Sequence, residues 1–319
     1  MLYPMSVPQP DSIDDLVGYI DSTGAQIVPP RYTAGGFFSA GLAGVVAHDE
    51  RTAFIDTRGR IAIPATFTGL AEFHEGLCAI GLDMTVGYIA ADGEWVIAPE
   101  YLICGRFSEG LASVSSDGEL FKIINRRGQV VVPPRYDGSG RFLNGVASVR
   151  MDGKWGYIDP AGSLVVPCMF DGPRAQTFAG GWAGVSIESR WGFIDRHGTW
   201  LAKPQYDDVR RFSEGLAPVK VGGKWGALNT SGILQLAPRF DQLAEFEGGM
   251  APASLDGKSG FVSPEGRWII PPRFDRCYRF VGDLAVVKIA DRYGYISRSG
   301  ETVWMSEPGA LTISPPFAE

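Results

Sequence analysis

Hydrophobic and polar residues alternate along this chain in short runs that return at a nearly constant interval. One full cycle covers residues 146–170, where three runs of β-favouring residues are separated by Asp152-Gly153 and by a turn that closes at Gly162. Short runs rich in Val, Ile and aromatic residues, bounded by glycine turns, are typical of β-strands. The cycle therefore predicts a three-stranded antiparallel meander as the structural unit of an all-β protein.

The middle run of this cycle recurs nine times, with a fixed seat that usually holds glycine. The seat is occupied by Gly18, Ala53, Gly87, Lys122, Gly156, Gly192, Gly226, Gly260 and Gly294, in steps of 34 to 36 residues. A fixed period of this length indicates tandem copies of one supersecondary unit. We predict a single repeat domain of eight to nine units over residues 17–304, an N-terminal extension over 1–16 and an extended C-terminal tail over 305–319.

Turn residues and prolines predict the role of each strand. Asp152 and Gly153 tolerate the positive φ that a two-residue hairpin requires at both positions. A glycine follows the Asp seat by three residues in all nine copies, as a turn closed by a left-handed residue demands. The third run ends in proline, which cannot donate to a sheet ladder, so we expect it at a sheet edge.

Each unit also carries two fixed aromatic residues, such as Tyr136 and Phe142, that one small meander cannot bury alone. Neighbouring units must therefore pack face to face. Two arrangements satisfy this requirement: small sheets set radially in a propeller-like ring, or an open β-superhelix (solenoid). The first unit lacks its leading strand, so it is either a cap or is completed by another segment on closure.

Two segments carry a resemblance to a known family. Residues 153–159 (Gly-Lys-Trp-Gly-Tyr-Ile-Asp) and 212–217 (Phe-Ser-Glu-Gly-Leu-Ala) resemble the WG (or KWG) β-repeat family of bacterial proteins, and the likeness extends over about residues 17–304. The resemblance implies an all-β tandem array with interaction roles, and it supplies no catalytic motif. The units at Ala53 and at Phe121-Lys122 depart from the pattern, which indicates either distorted units or an adapted surface.

The net charge and the cysteine content of the chain limit the kinds of partner and the compartment that we expect. The net charge of −7 and pI near 5.1 disfavour nucleic acid and anionic membranes and favour a basic partner. No stretch approaches the ~18 apolar residues of a membrane span, so we expect no membrane insertion. The four cysteines, Cys78, Cys104, Cys168 and Cys277, have no metal-type spacing and are interpreted as reduced thiols in a cytoplasmic protein, although contacts between distant units would allow two to pair.

The chain shows no catalytic or cofactor signature. His48, His74 and His197 occupy unrelated phases of the repeat, and no nucleophile elbow, phosphate loop or dinucleotide fingerprint occurs. We expect no metal and no cofactor. Carboxylates recur after the middle run, after the first aromatic residue and before a glycine, which favours turn capping, because a catalytic pair should break the repeat.

Arginine and tryptophan at fixed seats are the candidate binding residues. One arginine row, between proline and the aromatic residue, is Arg31, Arg135, Arg239 and Arg273. A second, just before the fixed phenylalanine, is Arg106, Arg141, Arg211 and Arg279. Trp95, Trp200 and Trp268 share a third seat, and Trp182 replaces a leucine. Each set either packs on aromatic rings and acidic turns or forms an exposed stripe that binds carboxylates or anchors an interface.

The leading functional hypothesis is a non-enzymatic module that binds a protein or peptide of unknown identity. A narrower form is that it escorts or neutralises a bacterial partner protein. The rival is a propeller-like hydrolase that acts on carbohydrate or peptide through two carboxylates. A third possibility is a structural spacer. The sequence leaves the oligomeric state open.

Overall fold

The chain folds entirely into β-structure over the residues that the computed structural model describes, 1–7 and 15–308. These residues form 34 strands in nine antiparallel sheets. The predicted all-β architecture with units of about 34 residues is confirmed. None of the described residues forms a helix of the length and apolar character that a membrane span requires.

The sheets follow one another along the chain, with these bounds. Sheets 1 to 3 are β1 (Tyr3–Val7), β2 (Leu16–Ile20), β3 (Gln26–Tyr32); β4 (Ala34–Gly35), β5 (Leu42–Val46), β6 (Thr52–Asp56), β7 (Ile61–Phe67); β8 (Phe73–His74), β9 (Leu77–Leu82), β10 (Thr85–Ile89), β11 (Trp95–Tyr101). Sheets 4 to 6 are β12 (Ile103–Cys104), β13 (Leu111–Ser115), β14 (Phe121–Asn125), β15 (Val130–Tyr136); β16 (Gly138–Ser139), β17 (Ala147–Met151), β18 (Lys154–Ile158), β19 (Leu164–Phe170); β20 (Ala183–Ile187), β21 (Arg190–Ile194), β22 (Trp200–Tyr206). Sheets 7 to 9 are β23 (Asp208–Val209), β24 (Leu216–Val221), β25 (Lys224–Asn229), β26 (Leu234–Phe240); β27 (Gln242–Leu243), β28 (Ala251–Leu255), β29 (Lys258–Val262), β30 (Trp268–Phe274); β31 (Arg276–Val281), β32 (Leu284–Ile289), β33 (Arg292–Ser297), β34 (Thr302–Met305).

Every sheet is a meander whose strands pair in chain order. We call the strands of a full sheet a, b, c and d. Strands b, c and d are the three predicted runs, and the proline-bearing strand d lies at one edge of each sheet, as predicted. Strand a is an addition to the prediction: seven sheets start with a short strand that pairs with strand b, such as Asp208–Val209 against Lys220 and Val219.

The first sheet draws its leading strand from the segment predicted as an N-terminal extension. Tyr3 pairs with Ile20 and Val7 with Leu16, so Tyr3–Val7 takes the place of strand b. The same register joins strands b and c elsewhere, for example Ala147 with Ile158 in sheet 5. The unit that began at Val17 in the sequence pattern is therefore completed by residues upstream of it.

Strand d crosses the signature glycine closely. A Cβ atom added to Gly156 would lie 2.6 Å from the carbonyl oxygen of Val166 and 2.7 Å from the amide nitrogen of Cys168. In sheets 1 to 7 the c–d pair is irregular at this point, as the shift between Trp155 and Tyr157 shows in sheet 5. Sheets 2 and 4, which carry Ala53 and Lys122 at the seat, keep the same register and the same irregularity, so neither unit is distorted in its pairing.

Apolar side chains form a series of cores between successive sheets. Strands b and c are buried on both faces, whereas strand d is buried only at its third and last positions, as in Leu164–Phe170. One core combines Tyr157 and Phe170 of sheet 5 with Phe178 and Val185 of the next unit. This packing confirms that neighbouring copies bury their aromatic residues together.

The chain divides into two compact units. Unit 1 contains Met1–Arg106 together with the chain from Phe274 onward, and unit 2 contains Phe107–Arg273. Unit 1 thus brings the first and last sheets together. The Tyr3 and Tyr295 rings meet edge to face with centroids 5.5 Å apart, and the Tyr295 hydroxyl donates to the Pro4 carbonyl oxygen at 2.8 Å.

This terminal contact repeats the bond that links consecutive sheets. In the same unit the Tyr19 hydroxyl of sheet 1 donates to Gly36 at 3.0 Å, and the Tyr88 hydroxyl of sheet 3 donates to Gly105 at 2.5 Å. Sheet 9 therefore contacts sheet 1 through the same kind of hydrogen bond that joins sheet 1 to sheet 2 and sheet 3 to sheet 4. An open superhelix keeps its terminal sheets apart, so the contact favours the propeller-like alternative.

Candidate binding site

The carboxylates that recur after strand c hold the c–d turns. Oδ1 of Asp159 accepts hydrogen bonds from the amides of Ala161 at 3.0 Å and Ser163 at 2.8 Å. The same pair of bonds occurs in the other turns that carry Asp at this seat, at Asp21, Asp56 and Asp195. These are side-chain-to-backbone turns of the kind that Asp favours. Their carboxylates are used by the fold.

A second set of aspartates, after strand d, joins each b–c turn to a cation. Asp241 accepts from Lys224 Nζ at 2.5 Å and from the Gly257 amide at 3.4 Å. Asp207 likewise binds Arg190 and the Gly223 amide. The hydrogen bond from Lys224 lowers the pKa of Asp241, and the same bond raises the pKa of Lys224. Both groups are exposed, so this is a surface ion pair.

The glutamates before glycine clamp one unit to the next. Glu214 accepts from the amides of Gly248 at 2.7 Å and Gly249 at 3.0 Å, across the sheet boundary. Glu109 makes the equivalent bonds to Asn144 at 2.6 Å and Gly145 at 2.8 Å. These bonds occupy the tight a–b turns, so the recurring carboxylates again act as scaffold.

The arginines on strand d (the d-row: Arg31, Arg135, Arg239 and Arg273) are all exposed, and the first three stack on the aromatic residue that follows them. The Arg239 guanidinium lies 4.8 Å from the Phe240 ring centroid, and its Nη2 donates to the Gly266 carbonyl oxygen at 2.6 Å. Arg31 does the same with Tyr32 and Gly59. Arg31 and Arg239 therefore cover an aromatic face and bridge to the c–d turn of the next sheet.

The predicted tryptophan row lies between sheets. Trp95, Trp200 and Trp268 are half-buried, and each meets the last aromatic residue of the preceding strand d nearly perpendicularly. The centroid separations are 5.6 Å to Phe67, 6.1 Å to Phe170 and 5.9 Å to Phe240. Trp182 is also half-buried and packs on the core that contains Trp191 and Phe212. Contacts between sheets therefore bury much of the surface of these four tryptophan side chains.

The seat just before the fixed phenylalanine differs from all of these, because its residue type changes from sheet to sheet. We call it the pre-Phe seat, and its four arginines the a-row: Arg106, Arg141, Arg211 and Arg279. The seat holds Phe37, Glu72, Arg106, Arg141, Thr177, Arg211, Glu245 and Arg279. Arg106, Arg141 and Arg211 are half-exposed, and Arg279 is exposed. Within unit 2, Arg211 Nε lies 4.0 Å from Glu245 Oε1, so the seats of successive sheets are neighbours.

Pre-Phe residues of three different sheets influence one another electrostatically within unit 1. The charges of Arg106 in sheet 4 and Arg279 in sheet 9 both act to lower the pKa of Glu72, which lies next to strand a of sheet 3. His74 lies beside it, with Nε2 3.9 Å from Glu72 Oε2. We call these four residues the unit 1 cluster. Burial raises the pKa of Glu72, and both arginines oppose that rise; burial and then Arg106 lower the pKa of His74.

Thiol and metal chemistry have little support among the described residues. All four cysteines are reduced, and burial raises the pKa of Cys78 and Cys104 to about 12, so neither is a ready thiolate. No group of three His, Cys, Asp or Glu side chains is placed to hold a metal ion in the part of the chain that the structure describes. His48 and His197 lie in the b–c and c–d turns of their sheets.

Stacked antiparallel sheets of one repeating unit define an all-β tandem-repeat protein of the propeller-like type. The family model described as WG containing repeat matches residues 18–48, 53–83, 87–119, 123–155, 155–191, 191–225, 225–258 and 260–293. The chain belongs to this family, as its motifs predicted. None of the curated proteins compared with the chain matches it.

Solved structures share the fold at low sequence identity. A eukaryotic initiation factor is 10% identical, with a TM-score of 0.70, over 98% of this chain and 97% of that chain. The computationally designed Ika8 protein is 12% identical, with a TM-score of 0.52, over 86% of this chain and 95% of that chain. At such identities the likeness concerns the fold alone.

Sequence reasoning identified the a-row arginines but missed Glu72, Glu245 and the place of His74. A signal for the two glutamates was present, because they occupy the pre-Phe seat. Aligning the copies on the fixed phenylalanine would have shown a seat that holds arginine in four copies and glutamate in two. No pattern in the sequence could have predicted the electrostatic effect of Arg279 on Glu72. That effect depends on how sheet 9 packs with the first sheets of the chain inside unit 1.

Proposed function

We propose that this protein is a non-enzymatic module that binds another protein or a peptide through its pre-Phe seats, which lie just before strand b of each sheet. The observation that carries the proposal is the contrast between seats. Recurring carboxylates hold turns, and Arg31 and Arg239 of the d-row bridge sheets, whereas the pre-Phe seat varies from copy to copy, and the six charged residues that occupy it are all at least partly exposed. Variation of charged, accessible residues at one seat of a regular repeat is what a binding surface requires.

The charge of the seat indicates the chemistry of the partner surface. Four arginines against two glutamates give the pre-Phe seats an excess of positive charge in a chain whose net charge is −7. The guanidinium fork matches a carboxylate through two parallel hydrogen bonds. We therefore expect the contacting surface of the partner to be acidic, even though the rest of the protein favours basic neighbours. The bacterial cytoplasm is the compartment in which we expect the complex.

Affinity capture with matched variants tests this proposal. One variant replaces the a-row, R106Q/R141Q/R211Q/R279Q, and its control replaces the d-row, R31Q/R135Q/R239Q/R273Q. We expect the wild type and the d-row variant to retain one reproducible protein from the native cell, and the a-row variant to lose it. Equal retention by both variants would contradict the proposal, as would turnover of a glycan panel without any captured protein, which would favour the hydrolase.

A further inference from the structure

Strands a and b of sheet 9 place two cations directly opposite each other. Arg276 and Lys288 are register partners in this antiparallel pair. Directly opposite residues share one face of a sheet, with their Cβ atoms about 4.5–5.5 Å apart. Arg276 is exposed and Lys288 is half-exposed, so solvent reaches both. Like charges at directly opposite positions destabilise a sheet, and a pair that lowers the stability of the fold is a candidate for binding.

Two tyrosine rings hold these cations in place. Arg276 Cζ lies 5.7 Å from the ring centroid of Tyr278, and Lys288 Nζ lies 5.2 Å from that of Tyr293. Both rings pack against the core that contains Tyr295. A cation over a ring keeps its charge and its N–H donors, so these contacts order the two side chains without neutralising them. We call Arg276, Tyr278, Lys288 and Tyr293 the sheet 9 site.

The acidic residues that are near in sequence do not pair with the two cations. Neither Arg276 nor Lys288 forms an ion pair with a carboxylate in the part of the chain that the structure describes. Asp275 accepts a hydrogen bond from the Ala290 amide at 2.5 Å, as Asp241 and its equivalents accept one from their own b–c turns. Asp291, in the same turn as Ala290, is exposed and pairs with neither cation.

Two other sheets carry a cation at the position of Lys288, and both supply a carboxylate to it. Lys220 of sheet 7 has Asp208 as its register partner on strand a. Arg150 of sheet 5 donates from Nε to Asp137 Oδ1 at 2.6 Å. Both cations also lie over the aromatic residue that opposes them on strand c, as Lys288 does. The repeat therefore accommodates a carboxylate at this position, and sheet 9 offers a second cation instead.

We propose that the sheet 9 site binds an acidic segment of the partner protein, with a carboxylate of that segment between Arg276 and Lys288. This inference rests on the proposed binding function and assigns one of its anchoring contacts. The planar fork of Arg276 can donate twice to one carboxylate, and the Lys288 ammonium adds a second positive charge. Arg279, an a-row residue, lies on the same strand as Arg276, so the site adjoins a pre-Phe seat.

Fluorescence anisotropy on the full chain tests the inference, with a labelled ten-residue peptide in which Glu-Glu pairs alternate with Gly-Ser. Low ionic strength is used, because surface charges are then little screened. We expect R276Q and K288Q each to weaken binding about fivefold. K220Q, the equivalent change in sheet 7, is the control and should bind as the wild type does. A peptide with glutamine in place of glutamate should not bind.

A charge reversal separates loss of the site from loss of the fold. R276D gives sheet 9 the arrangement of sheet 7, with an aspartate opposite the lysine of strand b. The internal carboxylate should then exclude the peptide, and R276D should show no measurable binding. The same change replaces a like-charge pair by an opposite-charge pair, so R276D should unfold at a urea concentration no lower than that of the wild type. Misfolding cannot produce this combination.

Several results would overturn the sheet 9 site. These are wild-type affinity in R276D, an equal loss in K220Q, binding of the glutamine peptide, a lower urea midpoint in R276D, or no binding of the glutamate peptide to the wild type. The wider function is tested separately. If the captured cellular partner is retained by R276D but lost by the a-row variant, the binding module stands and the sheet 9 anchor falls. If R276D loses the peptide while the a-row variant keeps the cellular partner, binding through the pre-Phe seats falls instead.

Discussion

Two adjacent residues between strands a and b of sheet 7 show opposite constraints. Phe212 is 2% exposed and packs edge to face on Phe193 of the preceding sheet, with centroids 5.0 Å apart. Arg211, one residue earlier, is half-exposed and lies 4.0 Å from Glu245 of the next sheet. The phenylalanine recurs in eight copies, whereas its neighbour is Phe, Glu, Arg or Thr. The fold fixes the phenylalanine at this point of the repeat, whereas the residue before it varies and is the candidate for recognition.

The carboxylates also fall into two groups: those that hold the scaffold and those that are candidates for recognition. Glu214 is tied to two backbone amides of the next unit, and Asp159 is tied to two amides of its own turn. Glu72 instead lies 3.9 Å from His74, and the charges of Arg106 and Arg279 oppose the rise in its pKa that burial causes. Residues that recur are used by the scaffold, and residues that depart from the repeat at the pre-Phe seat are the candidates for recognition.

Truncating the fixed phenylalanine should produce the largest effect. Phe212→Ala removes a buried ring from the core between sheets 6 and 7, and we expect a loss of about 3–5 kcal/mol in the free energy of unfolding. Arg211→Gln, its neighbour, should change that free energy by roughly 0.5 kcal/mol or less. Urea unfolding followed by tryptophan fluorescence measures both. If the two variants lost similar amounts of unfolding free energy, the proposed difference between Phe212 and Arg211 would be contradicted.

Adding a side chain at the signature glycine should produce the second largest loss in the free energy of unfolding. Gly156→Ala places a Cβ atom against the backbone of strand d, at 2.6 Å from Val166 O, so strands c and d must separate. We expect a cost of about 1–3 kcal/mol. The matched reverse change, Ala53→Gly, opens no clash and should cost only about 0.5–1 kcal/mol from lost backbone restriction. A larger loss in Ala53→Gly than in Gly156→Ala would refute the close-approach explanation.

The glutamate clamp should have a smaller and more local effect. Glu214→Gln weakens the bonds to the Gly248 and Gly249 amides, and we expect a loss of roughly 1 kcal/mol. Hydrogen exchange at these two amides should quicken, while the amides of strands b and c keep their protection. Unchanged exchange at both glycines would show that the clamp does not hold the turn.

The exposed pair Lys224–Asp241 should give the smallest effect. Lys224→Gln is expected to leave the unfolding midpoint unchanged at physiological salt, because exposed ion pairs contribute little. Its pH dependence has a definite sign. The pKa of Asp241 is lowered in the folded state, so any contribution is present above the unfolded value and is lost as the pH falls through the folded one. A clear difference between wild type and variant that grows above pH 7 would contradict this assignment.

Much of the fold was predictable because residues typical of turns recur at fixed positions in every repeat. Asp152 and Gly153 adopt φ of 52° and 73°, as the hairpin sequence predicted, and the proline strands lie at sheet edges. Strand a was not predicted, since segments such as Gly138–Ser139 are two residues long and lack an apolar pattern. Tyr3–Val7 was missed because it lies well upstream of Leu16, its first partner in chain order, and no tight turn joins the two strands.

The candidate site was predictable only in part. The fixed phenylalanine marks the pre-Phe seat in every copy, so the a-row could be read from residue spacing. The burial of Glu72 and the effect of the Arg279 charge on its pKa depend on packing between sheets that are far apart in the chain. No local sequence pattern encodes such packing. The d-row shows the converse: its spacing is as regular as that of the a-row, yet Arg31 and Arg239 bridge to glycine carbonyls of the next sheet.

Urea unfolding of the two fourfold arginine variants tests the division between scaffold and recognition most directly. The account predicts that R106Q/R141Q/R211Q/R279Q unfolds at the urea concentration of the wild type, because the pre-Phe seat holds different residue types in different copies of the same sheet. R31Q/R135Q/R239Q/R273Q should unfold at a lower concentration, because it loses bridges between sheets and covers over aromatic rings. The reverse order, with the a-row variant the less stable, would contradict the central claim.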